Sequence, residues 1–420
     1  MNLHDCMAYA VSHSTQMRIQ AADRSDQRWQ RRQAILQAFT PQIDAQTYAY
    51  NQYGRNLDPE TNTYNDLTTF YNGYQAQASI TLFDGFKTVN NVKMAKTVEK
   101  MGISQEQQKL DEICLATMMA YYNVIYYSEL EAVLEEQVKT AQTNRDKALR
   151  QEELGQKGHP DVVRMESELA QKEYQLVDVQ NSKKDATITL KDMMFWPAEK
   201  ELYIDNCVEA PQTSLASTSE IVDIAKASLP EAEIASMNKK KAAYELKIAR
   251  GSYSPTISFN AGWSTTYYDY PGKEGYKARS FNEQFRNNRG EYLQFSVNIP
   301  IYDQLRRQTN VKMKKNAMVR AEAEYEQTMR DIENEVSRAV NDRDGAQAAF
   351  RQADKLANME HEAFLLSAKQ LDAGLISTIE YQTASQSYLN AQAERIGALL
   401  KLKIKDSVVR YYNGEAYINQ

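Results

Sequence analysis

The chain repeats itself. Leu82-Phe83-Asp84 leads, eight residues after the aspartate, into Val92-Lys93-Met94, and Ile301-Tyr302-Asp303 leads at the same spacing into Val311-Lys312-Met313. The offset of 219 (Asp84 to Asp303) also carries Asn91 onto Asn310, Gly155 onto Gly374 and Asp161 onto Glu380, with no gap. Nearer the start, Phe39-Thr40-Pro41-Gln42-Ile43 matches Tyr253-Ser254-Pro255-Thr256-Ile257 at an offset of 214. Two long copies imply one structural unit used twice, so whatever one half builds the other builds too. A pseudo-symmetric, interlocked body is expected rather than two unrelated domains.

The copies are rich in helix formers. Glycine and proline number only 15 and 9 in 420 residues, a composition that favours helices. Tyrosine stands at 27 against 11 phenylalanines; its apolar ring and wet tip suit the boundary between water and protein or lipid. The net charge of −6 lacks the basic field of a nucleic-acid binder, so no nucleic-acid partner is expected. Cys6, Cys114 and Cys207 lie too far apart for a metal cluster or a disulfide framework. No apolar run reaches the ~18 residues of a membrane-spanning helix. The nearest, 115–127, is interrupted by Thr117 and Asn123 and reads as a buried helix face. No signal peptide is visible at Met1-Asn2-Leu3, and an exported protein shown without its leader would look the same. Cys6 has no apolar run before it and does not read as a lipid anchor.

Four segments break the helical pattern by alternating with period two. Tyr74, Ala76, Ala78, Ile80 and Leu82 interleave with Gln75, Gln77, Ser79 and Thr81. Ile257, Phe259, Ala261, Trp263 and Tyr267 do so with Ser258, Asn260, Ser264 and Thr266; Leu293, Phe295, Val297, Ile299 and Ile301 with Gln294, Ser296 and Asn298. A less regular fourth runs from Gln42 to Tyr53. Such alternation means strands with one apolar and one polar face, here paired as two hairpins, near 41–84 and 255–303. The polar faces carry amides and hydroxyls rather than charge, Asp44 excepted. Apolar-out, polar-in strands of this length fit a transmembrane β-barrel; the other reading is the wall of a soluble sandwich. Four strands cannot close a barrel, for which about eight are the minimum. If they cross a membrane, several chains must share one barrel, because an open sheet edge in lipid leaves backbone groups unpaired.

The remainder predicts long helices. No proline occurs from Phe86 to Leu154, which at ~1.5 Å per residue is a helix of about 100 Å; no single globular core buries such a helix, which belongs in a coiled coil, bundle or wall. The first repeat, 1–215, therefore holds a helix, the hairpin at 41–84, a long helix at 86–154, a helix at 160–195 and a linker. The second, 216–420, holds a helix at 221–251, the hairpin at 255–303, a long helix at 305–371, a helix at 377–412 and a C-terminal tail. Ser217 and Glu220 form a capping-box pattern. Positions 162, 165, 169, 172, 176, 179, 183, 186, 190 and 193 follow heptad spacing and predict a packed face, whereas the charges over 131–139 read as solvated. Gly155 and Gly374 sit where helical hairpin tips are expected, followed by Pro160 and Ser377 as helix starts.

Recognisable active-site chemistry is missing. His4, His13, His159 and His361 share no ligand spacing, and no nucleophile, phosphate-loop or dinucleotide motif occurs. No enzyme activity and no cofactor are expected.

Taken in order, the duplication, Leu82-Phe83-Asp84-Gly85, Pro300-Ile301-Tyr302-Asp303 and the tip glycines Gly155 and Gly374 with Leu375 resemble the TolC family of outer-membrane efflux and secretion channels. The likeness covers essentially the whole chain, and the loop from Gly54 to Tyr64 is similar to that of Bacteroidota members. The resemblance implies a fold that is mainly α with β: coiled-coil helices forming an α-barrel, and four strands per chain closing a 12-stranded barrel in a homotrimer. It implies an outer-membrane location with most of the chain periplasmic, contact with outer-membrane lipid, and partners in a periplasmic adaptor and an inner-membrane transporter. Segment 196–220 and the tail from Tyr411 would lie near an equatorial belt. Gly155, Gln156, Gly374 and Leu375 would meet the adaptor. Asp161 and Glu380 would ring the periplasmic entrance, or else be ordinary acidic residues at helix N-termini. Arg164 and Thr383 depart from the acidic pattern, and Ile376 stands where well-known members carry a basic residue of the closed-state lock, so no ionic lock is carried over. Gln304 stands where the first copy has Gly85, and a different strand-to-helix turn is expected there. Drug efflux and type I protein secretion share this conduit and are not separated by sequence; a soluble coiled-coil scaffold is the rival that the alternating strands argue against.

Overall fold

The computed structural model describes residues 1–57, 62–66, 68–205, 217–273, 275 and 277–419. Residues 58–60 of the first strand loop, Glu274 of the second, the linker over 206–216 with Cys207 and Pro211, and Gln420 of the tail lie outside the described residues. In chain order the elements are α1 (Leu3–His13), α2 (Thr15–Phe39), β1 (Gln42–Gln52), β2 (Arg55–Leu57), β3 (Tyr64–Asp66), β4 (Thr69–Phe83), α3 (Lys87–Glu153) and α4 (His159–Met194). They continue as α5 (Thr218–Ser228), α6 (Pro230–Gly251), β5 (Thr256–Asp269), α7 (Phe281–Asn287), β6 (Gly290–Asn298), α8 (Arg306–Asp372), α9 (Thr378–Tyr412) and a final 3-10 turn (Tyr417–Asn419). The chain is mainly helical with a small sheet. Among the described residues no helix is long and apolar enough to cross a membrane.

The helix expected at 221–251 is two helices. Leu229 is extended (φ −67°, ψ 137°) between α5 and α6, because Pro230 disfavours a helical residue before it and starts the next helix at N1. Ser14 breaks α1 from α2 in the same way (φ −61°, ψ 127°), and its Oγ accepts from the amides of Gln16 and Met17. Both short helices are 11 residues long, and α3 and α8 are each 67.

The chain divides into two compact units, each drawing on both halves of the sequence. The first comprises Met1–Arg24, Ile103–Ala235 and Tyr325–Gln420. In it α1 packs Cys6, Met7 and Ala10 against Met118, Tyr121 and Ile125 of α3, Leu190 and Met194 of α4 and Tyr417 of the C-terminal turn. The α5 helix packs Ile221, Val222 and Ala225 against Ile332 and Val336 of α8 and Val409 of α9. The segment 115–127 is a buried helix face, with Thr117, Met118, Tyr121, Tyr122, Val124 and Ile125 buried. Cys6 and Cys114 are free thiols inside this core, and burial pushes them up to about 11 and about 12.

The packed face of α4 departs from strict heptads. Val162, Met165, Lys172, Val179, Ala186 and Leu190 are buried as expected, but Leu169, Leu176 and Lys183 are only half-buried. Glu168 and Met194 are buried instead, while Met193 is exposed. A helix of 3.6 residues per turn drifts off a 3.5-residue stripe. In the segment 131–139, Glu135, Glu136 and Lys139 are exposed as expected, but Gln137 is 5% exposed with neither amide atom partnered.

The second unit comprises Ser25–Gly102 and Ser236–Glu324. It contains one four-stranded antiparallel sheet in the order β1-β4-β5-β6, plus the small β2-β3 pair. The two hairpins therefore join through β4 and β5. The β6 strand stops at Asn298 although the alternation continues to Ile301, since Pro300 has no N–H to give a ladder.

Candidate functional surfaces: the sheet and the helical tips

The register sorts side chains by polarity over the whole sheet. Ile43 pairs with Ala78, Ala78 with Ala261 and Ala261 with Leu293; one step along, Ile80 pairs with Phe259 and Phe259 with Phe295. On the other face Gln46 pairs with Gln75 and Gln75 with Ser264, while Ser79 pairs with Asn260 and Asn260 with Gln294. Gln75 Nε2 donates to Gln46 Oε1 at 2.8 Å. Tyrosines lie flat on this polar face: Tyr48 across Gly73 and Tyr292 across Gly262, where a Cβ on either glycine would collide with the ring. The apolar face stays uncovered over β1 and β6, with Ile43 at 72%, Leu293 at 76% and Phe295 at 72% exposure. β1 and β6 are the outer strands, so the sheet ends in two open edges.

One part of the β6-side edge is covered. The β5–β6 pairing ends at Ser264 and Gly290, and above it the connection folds α7 back onto the sheet. Gln284 Oε1 accepts from Tyr268 N at 3.1 Å and its Nε2 donates to Tyr268 O at 3.0 Å. Asn288 Nδ2 donates to Thr266 O at 2.7 Å, and Thr265 Oγ1 donates to Phe285 O at 2.9 Å. Phe281 and Phe285 pack on Tyr74, Trp263 and Tyr267 of the apolar face. The sequence reading passed over α7, although Ser280-x-x-Glu283 is a helix-start signal and Ser280 Oγ accepts from Glu283 N.

Where strand meets helix the two copies agree. Gly85 and Phe86 have φ of +71° and +62°, and Gln304 and Leu305 have +58° and +64°. The different turn expected at Gln304 is not found: the same left-handed pair is built without glycine. The aspartate before it explains why. Asp84 Oδ2 accepts from Thr88 N at 2.9 Å, and Asp303 Oδ2 accepts from Arg307 N at 3.1 Å and from its Nε at 2.8 Å. The glycine in the first copy answers a separate demand, since a Cβ on Gly85 would run into the carbonyl of Gly251 and the side chain of Ser254.

The tips also match. Gly155 and Gly374 both have φ +70°. Gly155 N donates to Glu152 O and Gln156 N to Gln151 O; Gly374 N donates to Leu371 O and Leu375 N to Gln370 O. This is the Schellman pattern, in which a left-handed residue closes the last turn. Nothing crowds either glycine, and Leu375 is 75% exposed. Behind them Ala148, Val162, Met165, Phe364, Leu371 and Tyr381 form one cluster, so α3, α4, α8 and α9 meet there. Asp161 is half-buried, and Thr378 Oγ1 lies 3.5 Å from its Oδ1. Glu380 is exposed, and its Oε2 accepts from Ser377 N at 2.7 Å in a capping box. The bonds from the Ser377 backbone and hydroxyl hold the Glu380 carboxyl below its usual range.

Further along α4 the sequence reading missed a buried polar pair. Burial raises the Glu168 carboxyl and lowers the Lys172 amine, each opposed by the charge of the other. Lys172 Nζ donates to Gln386 Oε1 at 3.3 Å. Among the described residues no group of three or more histidines, cysteines or carboxylates could hold a metal ion.

Residues 222–410 match the family model described as outer membrane efflux protein. No curated protein matches the sequence. Among solved structures the chain is similar to the outer membrane protein VceC from Vibrio cholerae, with a TM-score of 0.81 at 15% identity over 99% of this chain and 96% of that one. It is similar to CusC, with a TM-score of 0.83 at 14% identity over 98% and 91%. It is similar to the MtrE outer membrane channel of Neisseria gonorrhoeae, with a TM-score of 0.78 at 16% identity over 99% and 88%. Residues 222–410 thus belong to the outer membrane efflux protein family, and the chain as a whole has the fold of the TolC-type outer-membrane channels.

Proposed function

We propose that three copies of this chain close their sheets into one 12-stranded barrel in the outer membrane of a Gram-negative bacterium, with the helices forming a periplasmic duct. The duct is the exit of a tripartite efflux pump or a type I secretion system. The observation that carries this reading is the sheet itself, apolar on one face, uncharged-polar on the other and open at both edges. Its outer strands β1 and β6 run in opposite directions, so β6 of one copy can continue the antiparallel ladder with β1 of the next. In lipid every edge must find such a partner. Apolar residues then face the acyl chains, and the glutamines and serines of the polar face, with Tyr48 and Tyr292, face water. The number three comes from the family resemblance.

We also take the chain to be a duplication divided at 215/216, with the tips at Gly155-Gln156 and Gly374-Leu375 docking an adaptor that leads to an inner-membrane transporter. Asp161 and Glu380 are proposed to form a ring of six carboxylates at the entrance. Single-particle images of detergent-extracted protein, together with planar-bilayer recordings, test the duct. A three-fold hollow particle with stepwise conductance is expected; a monomer that stays soluble without detergent overturns it. For the ring, Asp161→Asn with Glu380→Gln is expected to reduce cation preference, and unchanged selectivity removes that role.

A further inference from the structure

The charge of this chain is unevenly placed. The four segments that flank the sheet, 25–40, 84–102, 236–255 and 299–324, carry 18 Lys and Arg against 7 Asp and Glu, while the whole chain has a net charge of −6. All four lie in one compact unit with the sheet. Four of those seven carboxylates are already held inside the unit: Glu99 by Arg31, Glu245 by Lys314, Asp303 by Arg307 and Glu322 by Lys239. A fifth, Asp84, caps α3 through Thr88. The four segments themselves therefore keep an excess of 11 positive charges.

Its position is specific. Each of the four joints between strand and helix bears an exposed aromatic side chain: Phe39 before β1, Phe86 after β4, Tyr253 before β5 and Tyr302 after β6, at 75%, 63%, 51% and 76% exposure. On each helix an exposed cation lies within about three turns of the joint: Arg32, Lys93, Arg250 and Arg306. An aromatic ring at the edge of an apolar wall, backed by a long cationic side chain, is the arrangement that places rings at the headgroup level and lets cations reach phosphates. Arg307, over the Tyr253 ring at 5.9 Å, joins the two layers.

We propose that these joints form a belt that binds the phosphate groups of anionic phospholipids in the leaflet facing the helices, a lipid-recognition surface that fixes the depth of the sheet in the bilayer. The inference rests on the barrel reading above. The lipid is identified by charge complementarity, since a zwitterionic surface offers no net partner for this excess whereas anionic headgroups attract basic segments strongly over a Debye length.

The experiment uses the full chain and the variant Arg32→Gln/Lys93→Gln/Arg250→Gln/Arg306→Gln, with the corresponding Arg↔Lys exchange as the charge-retaining control. Each is first floated with phosphatidylcholine liposomes. Flotation of all three is expected; a wild-type chain that does not float overturns the barrel reading and this inference with it. Detergent-solubilised samples are then titrated with phosphatidylglycerol, phosphatidylcholine or inorganic phosphate while the thermal midpoint is followed. A rise with phosphatidylglycerol only is expected, retained by the control and weakened in apparent affinity by about five-fold per charge removed. An equal rise with phosphatidylcholine or with free phosphate, or an undiminished response in the variant, overturns the belt and leaves the barrel standing. So does a variant that binds lipid normally but shows an altered anion preference in a planar bilayer, because the cations would then face the duct.

Discussion

Gly85 and Gln304 hold the same left-handed backbone under different constraints. Gly85 is pressed against the Gly251 carbonyl and Ser254, so Gly85→Ala combines a strained φ with a collision and is expected to cost about 3 kcal/mol. At Gln304 the strain is already present in the native chain. Gln304→Gly relieves about 1–2 kcal/mol of left-handed strain and returns part of it as unfolded-chain entropy, so a gain of under about 1 kcal/mol is expected. Thermal midpoints in detergent should move in opposite directions for the two; a common direction would contradict this account. Asp111 offers a pH test. Burial raises its carboxyl pKa, against hydrogen bonds from Tyr411 and Gln107 that lower it. The folded chain then holds the proton more tightly than the unfolded one, so this group's contribution is fully present below the unfolded value of about 3.9 and is lost as pH rises through the raised folded value. Asp111→Asn removes that dependence, and its stability relative to the native chain should grow with pH across that window. Glu380 has the opposite sign: its lowered pKa means the capping contribution is present above the ordinary carboxylate range and fades on acidification through the depressed value.

At the scale of elements, the last turn of α9 is secured against the middle of α3. Tyr411, in the last turn of α9, donates to Asp111 Oδ2 on α3 at 2.9 Å and stacks on Tyr417 at 4.4 Å. Tyr411→Phe keeps the stack and leaves a buried carboxylate short of a donor, a loss expected near 2 kcal/mol, read from thermal unfolding. The α7 helix does for the upper edge of β5 what a longer β6 would have done. Gln284→Ala strips partners from both the N–H and the C=O of Tyr268; the expected cost is about 2 kcal/mol, and exchange of the Tyr268 amide should quicken while that of Phe259, inside the ladder, does not change. Much at this scale was legible: strand alternation, the glycine-marked tips and the capping signals at Ser217 and Ser377 are local codes. The stripe of α4 was not, beyond its first turns. Heptad counting put Met193 inward and Met194 outward, and the true phase depends on how far the helix supercoils against its neighbours, which spacing does not state. Lys172, on the heptad stripe, is buried, held by Gln386 and set against Glu168.

For the whole molecule the decisive property is the two-faced sheet. Ala261 and Gln77 lie near the middle of neighbouring strands on opposite faces. Ala261→Arg should oppose membrane insertion by about 2–4 kcal/mol, whereas Gln77→Arg, on the water side, should insert normally and alter ion selectivity instead. Equal effects on insertion, measured by folding into liposomes, would mean that the faces are assigned wrongly. The two compact units each draw on both sequence halves.

The sequence by itself determined the kind of each long element and which side of each long strand is apolar, because both follow from the period of side chains along one segment. It also marked the two tips, because glycine is the residue that tolerates the left-handed cap. Tertiary structure alone decided the joining of both hairpins through β4 and β5, the covering of one edge by α7, and the equal turns at Gly85 and Gln304. Those outcomes depend on which backbone groups remain unpaired once segments distant in sequence have met, and no local pattern records that.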